Sequence, residues 1–266
     1  MRTPPDILVN TARVEAWPAR LLRARGSRDA RRLAQAQWAL RRKRDGAYLA
    51  TVRDGELALL RPAFARAPGL SEARAALHAH RPPHRAGFDH VAGLPLDRLQ
   101  ERLHALGLDD SYGARTGLAL VAEPAWLAFA GFDRYRRPLW LHAGAARAWA
   151  HLQAAALRDG AVLDAISGYR SHDYQLGIFE RKRARGLHVD EILAVNAAPG
   201  YSEHHSGRAL DIGTPDEPPA EASFELTPAF AWLQDNAAGF GFAMSYPRDN
   251  PHGIVYEPWH WCWSPG

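Results

Sequence analysis

The sequence predicts an α+β protein, in which helices and short strands are mixed along the chain. Asp54-Gly55 is a two-residue turn signal between the strand-like segments 47–52 and 57–60, and this pattern predicts a β-hairpin. An alanine-rich segment, 143–158, predicts a long helix that ends at Asp159-Gly160. The chain has 266 residues, 47% of them hydrophobic, so it can bury a sizeable core. No internal repeat interrupts this pattern.

The first part of the chain predicts a small α+β unit. Residues 28–44 predict a helix, since Ser27 can cap it and three apolar residues, at 33, 36 and 40, fall at helical spacing. The hairpin follows, and then two more helices are predicted at 71–80 and 94–106. We place a soft boundary between about residues 85 and 112. The prediction is therefore an N-terminal extension, 1–110, whose role the sequence does not disclose, and a second domain, 111–266.

The second part alternates predicted strands and helices. Strands are expected at 117–121, 162–166, 240–246 and 253–260, and helices at 143–158, 173–185 and 227–238. Pro228 lies in the first turn of the last of these helices, where its missing N–H has no cost.

Charge is unevenly distributed. Residues 1–44 carry twelve Arg or Lys residues and only three acidic ones. Such a surface could contact RNA, anionic lipid or an acidic partner, but a solvated arginine-rich helix face is the more common explanation. We therefore do not expect nucleic-acid binding.

The composition also bears on the compartment. Cys262 is the only cysteine, which excludes an intrachain disulfide and fits a reducing environment. The N-terminus has no apolar signal core, and no run of about 18 apolar residues occurs. We expect a soluble, cytoplasmic protein without a transmembrane segment.

The segment 202–211, Ser-Glu-His-His-Ser-Gly-Arg-Ala-Leu-Asp, carries candidate metal ligands. His204 and Asp211 are seven residues apart, which would place them on one face of a helix, but Gly207 and Gly213 argue against a helix. A turn at Ser206-Gly207 followed by a strand would bring them together instead. Alone, this pair is weak evidence, because either residue could be an ordinary surface residue.

The segment Glu257-Pro258-Trp259-His260 supplies what the first segment lacks. Two imidazoles, one carboxylate ligand and one spare carboxylate suit a catalytic zinc, which uses three protein ligands and leaves a position for water. Glu257 would then accept a proton from water and pass it to the leaving amine. The alternative is a surface ion pair between Glu257 and His260.

Arg170 follows a predicted strand in the sequence Ser167-Gly168-Tyr169-Arg170-Ser171. A residue at a strand-to-helix transition is often displayed to a ligand. Its guanidinium could stabilise the negative charge that builds on a carbonyl oxygen during hydrolysis. The alternative is a structural ion pair.

These segments together resemble the VanY-type peptidases, which are zinc D,D- and L,D-carboxypeptidases of peptidoglycan related to VanX and to the Hedgehog metal fold. The pattern Ser-x-His-x-x-Gly-x-Ala-x-Asp at 202–211, the Glu-Pro-Trp-His at 257–260, and the arginine motif at 167–171 with Gln175 occur in the same order. The resemblance covers about residues 115–266. It implies a small antiparallel sheet with flanking helices that carries the zinc site.

The resemblance also implies roles for individual residues. It implies His204, Asp211 and His260 as zinc ligands, Glu257 as general base, and Arg170 as the contact to substrate and transition state. Substrate-pocket positions are implied for two more residues, Ser202 and Gln175.

Two neighbouring residues are competing ligands. Spacing alone does not choose between His204 and His205, whereas the family pattern selects His204. Cys262 is two residues after His260 and would share its face on a strand, but the family uses no thiolate there. We expect Cys262 to be a buried structural thiol.

The function implied by the resemblance is removal of a terminal D-alanine from a peptidoglycan stem peptide. A cytoplasmic location favours L,D-cleavage of tetrapeptide muropeptides in recycling, and D,D-carboxypeptidase or D-Ala-D-Ala dipeptidase activity is the alternative. An endopeptidase of the phage-lysin type and a non-catalytic metal-fold binding module are further alternatives. The oligomeric state is not predicted.

Overall fold

The structure is a computed structural model that describes residues 6–79, 91–108 and 111–265. Its strands are β1 Ile7–Asn10, β2 Val14–Pro18, β3 Trp38–Arg42, β4 Tyr48–Arg53, β5 Glu56–Leu59, β6 Trp126–Phe132, β7 Pro138–Leu141, β8 Asp164–Ser167, β9 Ala209–Gly213, β10 Phe242–Met244 and β11 His260–Trp263. Its helices are α1 Ser27–Gln35, α2 Leu70–Ala79, α3 Asp97–Ala105, α4 Ser111–Thr116, α5 Ala143–Arg158, α6 His172–Ala184, α7 Val189–Leu193 and α8 Pro228–Asn236. None of the helices in these ranges is long and apolar enough to cross a membrane. The predicted α+β fold is confirmed.

The larger sheet is antiparallel and has seven strands in the order β5-β4-β3-β2-β1-β6-β7. The predicted hairpin joins β4 and β5, and both turn residues, Asp54 and Gly55, have positive φ, as a tight two-residue turn requires. Helix α2 packs on this sheet over a core that includes Leu40, Leu49 and Val52. The sheet combines strands from 7–59 with strands from 126–141.

The predicted division at residue 110 therefore lies between strands that share one sheet. Strand β1 pairs with β6, and Leu8 is opposite Leu127. Residues 85–90 and 109–110 of the predicted boundary region are outside the described ranges. The division itself stays a prediction.

The smaller antiparallel sheet has the order β10-β11-β9-β8 and carries the candidate site. Helices α5 and α8 cover it, with Trp149 of α5 and Phe230 of α8 packed against Leu210 and Ile212 of β9. The predicted helix 143–158 is confirmed at both ends, and Asp159 caps its C-terminus. This core fixes β9, whose opposite face carries the site.

A separate cluster supports the loops beside the smaller sheet. Leu99 and Leu103 of α3 and Tyr112 of α4 pack against residues 197–201, together with Tyr246 and Ile254. The hydroxyl of Tyr112 accepts a hydrogen bond from the backbone N–H of Ala198 at 3.2 Å. The segment between β5 and β6 therefore supports these loops.

The predicted helix at 28–44 is wrong beyond residue 35. Helix α1 begins after Gly26, which is the N-cap in place of Ser27, and ends at Gln35. Residues 38–42 form β3, where Leu40 is fully buried between β2 and β4. Pairing on both sides outweighs the helical spacing of the apolar residues, since helix propensity is weak compared with tertiary burial.

Two other predicted segments differ from the structure, and four strands were not predicted. Residues 117–121 are not a strand, and Leu120 is exposed. Of the predicted strand 253–260 only its last residue, His260, is in β11, because turns occupy most of the stretch before it. Strands β1, β2, β6 and β7 were not predicted; β1, β2 and β7 are short and almost wholly buried, so they have no alternating pattern.

Candidate metal centre

Strand pairing and one tight turn bring the candidate ligands together. Strands β9 and β11 are antiparallel, and their register places His260 directly opposite Asp211. A 3-10 turn, Glu203–Ser206, precedes β9 and ends at Gly207, which has φ of 69°. An added Cβ at Gly207 would lie 2.4 Å from the side chain of Leu127, so glycine is required for both conformation and space. This reversal returns His204 to the side of Asp211.

The three predicted ligands form one buried group. Nε2 of His204 and Nδ1 of His260 each lie 3.2 Å from Oδ1 of Asp211. One ligand atom from each residue lies within 4.8 Å of the others, and among the described residues this is the one His/Cys/Asp/Glu group close enough to hold a metal. Two nitrogens and one oxygen match the donor set of a catalytic zinc site.

The outer nitrogen of each imidazole is fixed by a hydrogen bond. Nδ1 of His204 donates to the carbonyl of Gly168 at 2.7 Å, and Nε2 of His260 donates to Oε2 of Glu203 at 2.8 Å. These bonds set the tautomers, so that Nε2 of His204 and Nδ1 of His260 face Asp211. An acceptor behind each imidazole is typical of metal-ligating histidines.

Glu203 was missed at the sequence level. It is adjacent to His204 and 57 residues from its partner His260, so no local spacing connects it with the site. Burial alone would raise the pKa of Glu203, but the hydrogen bond from His260 and the charge on that imidazole hold the pKa at about 2. Glu203 is therefore ionised and orients His260.

The charges of the group favour a cation between its members. Burial, followed by the Arg170 charge, lowers the pKa of His204 to about 4, so its imidazole is neutral. Burial opposes ionisation of Asp211, but His204 and Arg170 keep the pKa of that carboxyl well below its usual range. Burial also opposes the charged form of His260, yet Asp211 and Glu203 raise its pKa to about 9. Two carboxylates therefore contact the imidazole of His260, which favours positive charge at this position.

Glu257 lies beside this group without belonging to it. Its Oε2 is 3.8 Å from Nδ1 of His260. Burial raises the pKa of Glu257 to about 7, with His260 opposing the shift and Asp211 adding to it. A carboxyl with a pKa near neutrality can both accept and return a proton.

Arg170 contacts the group through Asp211. One guanidinium nitrogen donates to Oδ2 of Asp211 at 2.8 Å. Nε of Arg170 is buried and has no hydrogen-bond partner among the described residues. Arg170 therefore holds a candidate ligand and retains an unused donor.

A cleft of about 310 Å³ opens onto the group. It is lined by all seven predicted site residues except Asp211, together with Tyr246, Ile254 and residues 195–197. Gln175 donates from Nε2 to the carbonyl of Ala197 at 2.9 Å, while its buried Oε1 has no partner among the described residues. Ser202 is also buried at this cleft. Tyr246 was not predicted from the sequence. The centroid of its ring lies 4.8 Å from that of His260.

The competing ligands lie elsewhere. Nδ1 of His205 donates to the carbonyl of Arg170 at 2.7 Å, and its Nε2 accepts from the N–H of Gly200 at 3.0 Å. Both ring nitrogens are used, so His205 braces two loops. Cys262 of β11 lies opposite Ala209 of β9. Burial raises the pKa of its thiol, so a thiolate is disfavoured.

Comparison with known proteins gives matches in the second part of the chain. A family model described as VanY, D-alanyl-D-alanine carboxypeptidase, matches residues 138–266. A D-alanyl-D-alanine carboxypeptidase from Enterococcus faecium is 38% identical over 97 residues, which cover 35% of this chain and 27% of that protein. The bifunctional D-Ala-D-Ala dipeptidase and D-Ala-D-Ala carboxypeptidase VanXYC from Enterococcus gallinarum is 30% identical over 145 residues, covering 52% of this chain and 73% of that protein.

A solved structure of the LdcB LD-carboxypeptidase is 34% identical, with a TM-score of 0.44, and the match covers 47% of this chain and 59% of that chain. The chain spans between 27% and 42% of the length of three of the curated relatives it matches.

Proposed function

The chain belongs to the VanY-type carboxypeptidase family, and from this premise we propose that it is a zinc-dependent carboxypeptidase that removes a terminal D-alanine from peptidoglycan stem peptides. The observation that carries the proposal is the convergence of His204, Asp211 and His260 next to Glu257, a carboxyl whose pKa burial raises to about 7. Three protein ligands leave a coordination position for water, and the nearby base makes that position useful for hydrolysis.

The residues present fit zinc. Both inner imidazole nitrogens face the same carboxylate oxygen, and each outer nitrogen has an acceptor, so the donor set is preorganised. His204, Asp211 and His260 would hold the ion. When bound, zinc lowers the pKa of a coordinated water to about 7 and polarises a carbonyl.

Glu257 is proposed to carry the proton during hydrolysis. Its carboxylate would accept a proton from water at the cleft and donate it to the departing amine of D-alanine. The burial that raises its pKa to about 7 suits both steps, because acceptance and donation are most balanced near the working pH.

Arg170, Gln175 and Ser202 are proposed to bind the peptide. The unpartnered Nε–H of Arg170 can donate to a substrate carboxylate or to the carbonyl oxygen that becomes negative. The unpartnered Oε1 of Gln175 can accept from a peptide N–H. Buried polar atoms without partners are costly, so a ligand that satisfies both would be favoured.

The bond that is cleaved is a finer question. The relatives from Enterococcus are named for D-Ala-D-Ala cleavage, whereas L,D-cleavage of tetrapeptides was predicted from an expected cytoplasmic location. We retain removal of D-alanine as the proposal, with both linkages as candidate substrates.

The decisive experiment is incubation of the zinc-loaded protein with tetrapeptide and pentapeptide muropeptides, followed by quantification of D-alanine and of the shortened peptide. Release from the tetrapeptide supports the L,D preference, while release only from the pentapeptide overturns it in favour of D,D-cleavage. Release of the D-Ala-D-Ala dipeptide identifies a dipeptidase. Cleavage of intact sacculi would instead indicate an endopeptidase.

Glu257→Ala tests the mechanism. We expect this variant to bind zinc with wild-type stoichiometry and to lose turnover. The control is Glu225→Ala, which removes a carboxyl from an ion pair with Arg248 and should retain turnover. Turnover that survives in Glu257→Ala means that the assigned base is wrong. Zinc binding without any peptide cleavage by the wild type would favour the non-catalytic binding module.

A further inference from the structure

Glu123 is a buried carboxylate outside the family match, yet it touches the loop that carries Arg170. Its side chain is 5% exposed. Its Oε2 accepts from Nζ of Lys43 at 2.5 Å and from the amide of Asn10 at 3.3 Å. Asn10 lies in β1, and Lys43 directly follows β3. Glu123 therefore joins this loop to the larger sheet.

The two carboxylate oxygens of Glu123 accept hydrogen bonds from the loop on both sides of Arg170. Oε2 accepts from the hydroxyl of Tyr169, and Oε1 accepts from the backbone N–H of His172 at 2.8 Å. Nε2 of His172 donates to the carbonyl of Val121 at 2.8 Å, and its Nδ1 lies 3.4 Å from Oε1 of Glu123. One carboxylate thus holds residues 169 and 172, which flank Arg170 in the chain.

Residues 168 and 170 of this loop make three contacts to the candidate ligands and their neighbours. The carbonyl of Gly168 accepts from His204, the carbonyl of Arg170 accepts from His205, and the guanidinium of Arg170 donates to Asp211. A displacement of the loop would change all three together, so Glu123 contributes to the position of Arg170 alongside the backbone hydrogen bonds of Tyr169 and Arg170.

Stability alone is a weak reason for this ion pair. Lys43 has no exposed side-chain surface, and a buried ion pair can often be replaced by apolar residues without loss of stability. An apolar pair could not accept hydrogen bonds from Tyr169 and His172 at fixed positions. An ionised carboxylate can therefore orient the loop, whereas an apolar side chain at position 123 could not.

We propose that Glu123, with its buried counter-ion Lys43, is a positioning residue that orients Arg170 through Tyr169 and His172, and that the larger sheet thereby takes part in building the substrate site. This inference rests on the proposed peptidase function for its kinetic test, and on the loop geometry for its structural test.

The kinetic test uses Tyr169→Phe and Glu123→Gln, with Glu15→Gln as matched control. Glu15 is also a buried carboxylate of the larger sheet and is paired with Arg41 at 2.8 Å; its charge acts on Tyr169, but its hydrogen bonds go to Trp17 and Arg41 and not to the loop. We expect the first two variants to lower kcat/KM for D-alanine release by roughly tenfold to a hundredfold at unchanged zinc content, because small displacements of a positioned group have effects of this size. Glu15→Gln should retain the wild-type value.

A background without the arginine separates positioning from general damage. In Arg170→Ala, Tyr169→Phe should cause a smaller loss of kcat/KM than in the wild type, because the guanidinium that the loop positions is absent while its backbone contacts to His204 and His205 remain. An equal loss in both backgrounds overturns the proposal. Tyr169→Phe keeps the ring and removes only the hydroxyl, so it decides the question even if Glu123→Gln does not fold.

Nuclear magnetic resonance of arginine side chains gives a readout that does not need activity. The Nε–Hε signal of Arg170, assigned from its loss in Arg170→Lys, should shift in Tyr169→Phe and Glu123→Gln but not in Glu15→Gln. If the wild type releases no D-alanine while this signal moves as expected, the proposed function fails and the positioning role stands. If the wild type is active, and both variants keep kcat/KM within about twofold with an unshifted signal, the positioning role is overturned.

Discussion

Replacing Glu123 by Gln should make the stability of the protein less dependent on acid pH. Burial would raise the pKa of Glu123, but the Lys43 ammonium, followed by His172 and two side-chain hydrogen bonds, lowers the pKa from 4.5 to about 2. A shift of that size corresponds to about 3 kcal/mol of folding free energy above pH 4.5, since one pKa unit is about 1.4 kcal/mol. Because the folded-state pKa is the lower one, this stability is present above pH 4.5 and is lost as pH falls toward 2.

The assay is urea unfolding of the wild type and Glu123→Gln at pH 7, 5, 4 and 3. The wild type should be more stable at pH 7, and the difference in unfolding free energy should change little down to pH 5. Between pH 5 and pH 3 it should narrow by about 2 kcal/mol, because linkage removes about that part of the contribution of Glu123.

A double variant, Lys43→Met with Glu123→Gln, provides the control. It lacks the Glu123 carboxyl, as the single variant does, so the difference between these two variants should stay constant from pH 5 to pH 3. A difference between wild type and Glu123→Gln that is constant or that widens over this range would refute the assignment of Glu123 as an ionised, ion-paired carboxylate.

Three further changes test the metal centre and its turn. Glu203→Gln should weaken zinc binding by about tenfold to a hundredfold, as measured by chelator competition, because an imidazole ligand loses its charged acceptor. Gly207→Ala should lower the unfolding free energy by about 2 kcal/mol or more, since its φ is 69° and the added methyl would lie 2.4 Å from Leu127; Gly239→Ala, with open space around it, should cost much less. Removal of zinc that was present at 1,000 times its Kd should lower the free energy of unfolding by about 4 kcal/mol. In Asp211→Asn, the difference in unfolding free energy between the zinc-loaded and zinc-free protein should be mostly lost.

The grouping of the candidate metal ligands was largely predictable because these residues have chemistry that is rare in combination. His204, Asp211, Glu257 and His260 were selected as side chains, and the glycine at 207 predicted the turn that returns His204 toward the strand. The strand register that joins the two halves follows from the antiparallel pairing of β9 and β11. What the sequence could not supply was Glu203, because a carboxylate next to a histidine is common and its partner is 57 residues away.

The larger sheet was predicted only in part, for a related physical reason. The hairpin has a turn signal of its own, at Asp54-Gly55, and was found. Strands β1, β2, β6 and β7 are short and obtain their stability from neighbours distant in sequence, so no local pattern marks them. Leu40 shows a different error, in which a strand was predicted as a helix. Its spacing fits a helix, but its burial between β2 and β4 places it in a strand.

The loop that bears Arg170 explains why the least predictable part of the chain still matters to the site. Ser167 pairs with Asp211 in the smaller sheet, and two residues later the N–H of Tyr169 donates to the carbonyl of Trp140 in the larger sheet. Both sheets thus hold the same short loop through its backbone, and backbone contacts have no signature in residue type. The conspicuous side chains identify the centre, whereas its geometry depends on groups such as the Gly168 carbonyl and the Glu123 carboxylate, which only the folded chain brings into place.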